Sequence, residues 1–82
     1  MVIAWDEPKR LANLDKHGMD FATLTEEFFA NSLVIPARDG RFKAIGELAD
    51  GVVIVIFLHL GSEGLSVISM RPASRRERRM LA

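Results

Sequence analysis

From Val52 to Leu58 seven consecutive residues are apolar, which in an extended chain puts hydrocarbon on both sides of the backbone. A membrane span needs roughly 20 such residues. The run is therefore predicted to be a strand at the centre of a sheet, covered on both faces. From Leu33 onward the apolar period is two, and turn signals stand at Asp39-Gly40, Asp50-Gly51 and Gly61-Ser62-Glu63-Gly64. These divide the region into four strands at about 33–38, 41–48, 52–60 and 65–71. Pro36 has no N–H to give to a ladder and makes the first of the four an edge.

The residues before Leu33 have a different period. Val2 to Trp5 suggest a short opening strand, and Asp6 followed by Pro8 has the form of a helix cap with proline in the first turn. That helix is expected to reach about His17 and to stop at Gly18 in a left-handed conformation. At 100° per residue Leu11 and Leu14 fall on the side expected to face the core, while Lys9, Asn13 and Lys16 form a polar stripe with His17 at its margin. Asp20 can cap a second helix, with Met19 and Leu24 as a hydrophobic staple and Phe21, Leu24 and Phe28 as its core positions. Ser74-Arg75-Arg76-Glu77 has the spacing of a capping box and opens a short last helix.

The order is helices, then a mainly antiparallel sheet, then a short helix, which defines an α+β fold. If the first two helices cover one face of the central strand, the last helix or a partner chain must cover the other. Eighty-two residues make one small domain, burying only about 60% of the surface of the unfolded chain. No cysteine is present, which excludes disulfides and thiolate metal ligands and fits a reducing compartment. Met1 to Asp6 has neither a basic stretch nor a long apolar one, so it is not read as a signal peptide.

Charge is balanced in total but not in place. Residues 1–70 carry six basic and ten acidic side chains, and residues 71–82 carry five arginines against Glu77 alone. Such a patch attracts anions even on a neutral chain, because screening limits the field to charges within roughly 8 Å. Along the last strand Ser69 and Arg71 stand side by side, about 7 Å apart, with Val67 expected on the same face. A guanidinium beside a hydroxyl suits a phosphate; Arg71 can equally pair with Glu77, and the two are compatible. On the last helix Arg75, Arg76 and Arg79 share an arc of about 100°, Arg78 flanks it and Glu77 points away. An acidic partner or nucleic acid would relieve their mutual repulsion.

His17, beside Lys16 and Gly18 at a helix end, is a candidate for proton transfer, since histidine has an ordinary pKa near 6.5. Interaction with the last helix carbonyls is the alternative for it. His59 ends the most apolar strand on the face of Val53, Val55 and Phe57 and is read as a packed or surface residue. Two histidines without a nearby carboxylate or cysteine set make no metal-ligand pattern. No phosphate-loop, dinucleotide or nucleophile-elbow pattern occurs, and no cofactor is expected.

Trp5-Asp6 with Lys9, Asn13, Lys16-His17-Gly18, Phe21, Ile68-Ser69, Arg71, Ala73, Glu77 and Arg78 together resemble the BrnT-like toxins of type II toxin–antitoxin systems. The resemblance implies a fold like that of the RelE ribonucleases, metal-independent RNA cleavage in the cytoplasm, and a ribbon-helix-helix antitoxin of the BrnA type, through which alone operator DNA is met. In such cleavage the 2′-hydroxyl of the RNA attacks the adjacent phosphate, so the protein supplies a base, an acid and positive charge. Of the groups this chain offers, we expect His17 or Lys16 to transfer protons, Arg71 and Arg75 to meet the phosphate with Ser69, Arg76 and Arg79 as further phosphate contacts, and Glu77 either to orient an arginine or to act as base. Leu58-His59-Leu60 departs from the polar Thr-Glu-Arg-like strand end of many relatives; if that strand end contributes to the site, either His59 replaces it or the activity is weakened. The competing function is a non-catalytic subunit that binds a partner and acts with it as a co-repressor on DNA.

Overall fold

The computed structural model describes residues 1–81; Ala82 lies outside the described residues. Its elements are β1 (Val2–Trp5), α1 (Glu7–His17), α2 (Glu26–Ala30), β2 (Leu33–Pro36), β3 (Phe42–Leu48), β4 (Gly51–Leu60), β5 (Gly64–Pro72) and α3 (Arg75–Arg79). The architecture is α+β, as expected, but the sheet has five strands and not four, in the order β1-β5-β4-β3-β2. The opening strand joins it as an edge parallel to β5, with Val2 opposite Gly64 and Trp5 opposite Val67. All other pairs are antiparallel. The apolar run is central, between β3 and β5, and the strand with Pro36 is the far edge.

Local signals decide most helix ends. Gly18 takes φ 69° and donates its N–H to Leu14, ending α1, in the left-handed region where glycine carries no Cβ penalty. Asp6 occupies the N-cap position without a side-chain cap bond. The second helix departs from expectation. Asp20 caps only a single 3₁₀ turn, Phe21–Thr23, accepting from the Ala22 N–H. Leu24 is extended and Thr25 then caps α2 by accepting from the Phe28 N–H. A second capping residue, followed by Glu26 and Glu27 at the positive helix end, splits the segment in two.

One face of the sheet carries the main core. Phe21, Leu24, Phe28 and Phe29 pack on Ala44, Val53, Val55, Phe57, Val67 and Met70. Gly46 lies beneath α2, where a Cβ would meet Ser32 Oγ and the Phe28 ring. The expected apolar stripe of α1 is overturned: Leu11 and Leu14 are 53% and 37% exposed, and the buried residue of that helix is Asn13, at 7%. Its Oδ1 accepts from the Met70 N–H at 3.0 Å and its Nδ2 donates to the Met19 carbonyl at 3.1 Å. Because β1 ends opposite Val67, the amide of Met70 has no strand partner on that side. Asn13 takes the strand's place, satisfying a buried donor that would otherwise be costly.

The register of β5 also differs from simple alternation. A bulge between the pairs Ile56–Ser69 and Phe57–Val67 gives β5 one extra residue, Ile68. Val67 and Met70 therefore share the core face, and Ser69 and Arg71 point to the other one, away from Val67. On that second face Ile45 and Ile54 are fully buried, whereas Val2, Leu33 and Leu60 are 64%, 37% and 49% exposed. Cover on this side is thus partial.

Candidate functional site

Glu77 organises the second face. The capping box forms as predicted: Ser74 Oγ accepts from the Glu77 N–H at 3.1 Å, and Glu77 Oε1 accepts from the Ser74 N–H at 2.9 Å. The same carboxylate receives both arms of Arg71, at 2.8 and 2.9 Å, and Lys43 Nζ at 3.2 Å. Lys43 lies opposite Ile56 on β3, and Arg71 lies opposite Ile54 on β5, so the carboxylate bridges over β4. Held chiefly by the Arg71 fork, and further by Ser74 and Lys43, it is kept well below the usual carboxylate range against the opposing effect of burial. A carboxylate so stabilised is weakly basic. Glu77 in turn raises the Arg71 guanidinium above its ordinary value. Arg71 Nη1 also donates to the Pro72 carbonyl at 3.3 Å, and 40% of the side chain stays exposed.

His17 lies elsewhere. It opens onto a groove of about 610 Å³ between the end of α1, the β3–β4 hairpin and the corner from β5 into α3. Met19, Leu48, Val52, Met70, Pro72 and Ala73 line it, with Asp20, Asp50 and Arg78 at its polar margin. The end of the first helix and the end of the last strand do meet, through Asn13 and Met70. Yet Met70 and Pro72, on either side of Arg71, line the groove while Arg71 itself points to the opposite face. Lys16 is exposed beside His17. Arg75, Arg76 and Arg79 are exposed on α3, free of Glu77, which is 9% exposed and turned to the sheet. Thus α3 separates two basic regions: Arg71 with Ser69 and Lys43 on one side, Arg78 with His17 on the other.

Asp20 is not free to act in the groove, since it accepts from the Ala22 N–H and from Arg10 Nη1, both oxygens lying 3.1 Å from the latter. The Ala22 and Arg10 bonds lower its pKa. Arg10 also grips Glu7, whose carboxyl is pulled down to about 2 by that bond and by the Trp5 indole N–H. His59 is exposed at the end of β4 with its ring edge-on to Phe42 and Phe57, at 4.8 and 5.5 Å between centroids. Among the described residues no three His, Asp or Glu side chains converge to hold a metal ion, and no helix is long and apolar enough to cross a membrane.

Three residues of this arrangement were not among the candidates. Lys43 had a signal, as a lone cation on the strand face shared with Ile45; Asn13 was assigned to the wrong side of its helix; Arg78 was only a flank of the arginine arc. Lys43 meets Glu77 and Asn13 meets Met70 across long stretches of sequence, so spacing could not reveal them.

Residues 5–77 match the family model described as the ribonuclease toxin, BrnT, of type II toxin–antitoxin systems. The crystal structure of the ribonuclease toxin BrnT of Brucella abortus is similar, with 54% identity, a TM-score of 0.85, and coverage of 92% of this chain and 99% of that one. No curated protein matches the chain.

Proposed function

The chain belongs to the BrnT family, the ribonuclease toxins of type II toxin–antitoxin systems, and from that premise we propose that it cleaves RNA in the cytoplasm, without a metal, by attack of the 2′-hydroxyl on the adjacent phosphate. The observation that supports this most is the placement of His17 in a groove beside a helix that presents Arg75, Arg76 and Arg79 outward. His17 takes the proton of the 2′-hydroxyl, and the Lys16 ammonium gives one to the departing 5′-oxygen. The arginines of α3 hold the strand, and Arg71 with Ser69 takes a phosphate on the far side of that helix. Glu77 acts by orienting Arg71, because both its oxygens already accept hydrogen bonds.

The toxin is neutralised, in this proposal, by a ribbon-helix-helix antitoxin, which also provides the contact with operator DNA. The partly uncovered sheet face, with Val2, Leu33 and Leu60 exposed and the arginines of α3 on the helix that covers part of it, suits a partner segment that is apolar in one part and acidic in another. The same face is what favours the second reading, a non-catalytic co-repressor subunit.

Purified protein incubated with RNA decides between them. Cleavage should leave 2′,3′-cyclic or 3′-phosphate ends, be lost in His17→Ala, fall in Arg71→Ala, and arrest growth when expression is induced without the antitoxin. Intact RNA, with wild type and Arg71→Ala equally harmless, sinks the ribonuclease reading.

A further inference from the structure

The groove at His17 has a size and a lining that phosphate binding alone does not explain. Its volume, about 610 Å³, lies within the range of small-molecule sites. Its apolar part includes Leu48, Val52 and Met70, a surface on which a flat heteroaromatic ring loses its water favourably. A cation stands at the margin in the form of Arg78, with the His17 imidazole also lining the groove. That pairing of an apolar slot with a basic rim is the chemistry of one nucleotide, base inward and phosphate outward.

Two carboxylates also border the groove, and they differ. Asp20 is occupied by Arg10 and the Ala22 N–H. Asp50 sits in the hairpin loop between β3 and β4, exposed, and its carboxylate has no hydrogen-bond or ion-pair partner among the described residues. An ionised carboxylate only accepts hydrogen bonds. Guanine alone among the RNA bases presents two adjacent donors on its Watson–Crick edge, N1–H and N2–H, that match the two oxygens of one carboxylate. Uracil presents there a single donor, N3–H, flanked by two carbonyl acceptors, which the second carboxylate oxygen repels.

We propose that this groove is a base-recognition subsite for guanine in single-stranded RNA, with Asp50 reading the base and Arg78 holding its phosphate. It deepens the ribonuclease reading above and rests on it for the identity of the ligand as RNA. Selectivity built on filling hydrogen-bond partners is stronger than selectivity by size, because the wrong base leaves polar groups unpaired. One bidentate pair gives a preference of about tenfold or more.

The test has two arms. In the first, guanosine and uridine 3′-monophosphates are titrated into the folded protein and followed by NMR. Guanosine should bind about tenfold more tightly, with shifts at Leu48, Val52 and Ala73, and Asp50→Asn should remove the difference while leaving the spectrum of a folded chain. Equal binding of the two nucleotides, or shifts confined to Arg75–Arg79 or absent, overturns the proposal. In the second arm, cleavage sites in a random-sequence RNA pool are sequenced. Enrichment of guanine beside the cut that disappears in Asp50→Asn supports the subsite; cleavage without base preference overturns it and leaves the ribonuclease reading intact. If wild type leaves the RNA uncut, that reading fails by itself, and the nucleotide titration still decides whether the groove takes guanine.

Discussion

On the face beneath α2, Phe21, Phe28 and Phe29 interlock with strand residues, and Phe29 meets Phe28 and Phe57 edge-on at centroid distances of 5.2 and 5.3 Å. On the opposite face the cover is a five-residue helix pinned by one carboxylate to Arg71 and Lys43, while Val2, Leu33 and Leu60 of the same face stay exposed. Dispersion and hydrophobic burial close the first face permanently. The second is closed by charge and by partial cover, so it retains both a potential surface for partners and the arginines. The two faces of one sheet are thus closed by different forces.

The comparison breaks most readily where it predicts the greatest asymmetry. Phe21→Ala, at a site with 0% exposure, should cost about 3–5 kcal/mol in urea denaturation. Gly46→Ala comes next, at about 1–3 kcal/mol, because the added methyl would meet Ser32 and Phe28 on the closed face; a small change there would mean that α2 is loosely seated. Glu77→Gln should cost about 1–2 kcal/mol by removing the charge that holds Arg71 and Lys43. This effect depends on pH. The folded carboxyl lies below its unfolded value, which is near 4.3, so its contribution is present above that value and is lost as pH falls through the folded one. Wild-type stability should therefore decline below about pH 5 more steeply than that of Glu77→Gln, and parallel acid limbs would show that the ion cluster contributes little. Leu60→Ser on the open face should shift stability by no more than about 0.5 kcal/mol yet weaken antitoxin binding measured by calorimetry. A large loss of stability would place Leu60 in the core instead.

Features with local causes were legible in the sequence. Gly18 stops a helix because its own backbone permits φ 69°, Pro36 lies on an edge because it lacks a donor, and Ser74 and Glu77 cap each other across three residues. Features set by distant chain were not. The burial of Asn13 depends on where β1 ends, and the face of Ser69 depends on a bulge opposite Ile56 and Phe57. Lys43 reaches Glu77 across 34 positions. The split between the His17 groove and the Arg71 cluster has the same origin: both come from one strand end, but alternate residues of a strand face opposite ways.

The parallel pairing of β1 with β5 has a consequence in time. Val2 to Trp5 are made first, but their strand partner, Gly64 to Val67, is made fifth among the strands. Non-local closure of this kind is slow compared with local hairpins, and during synthesis it cannot occur until β5 has left the ribosome. The Asn13 clamp and the Arg71–Glu77 pair are completed by residues later still. The β1 edge, the Asn13 clamp and the Arg71–Glu77 pair therefore close together, only once nearly the whole chain has been made.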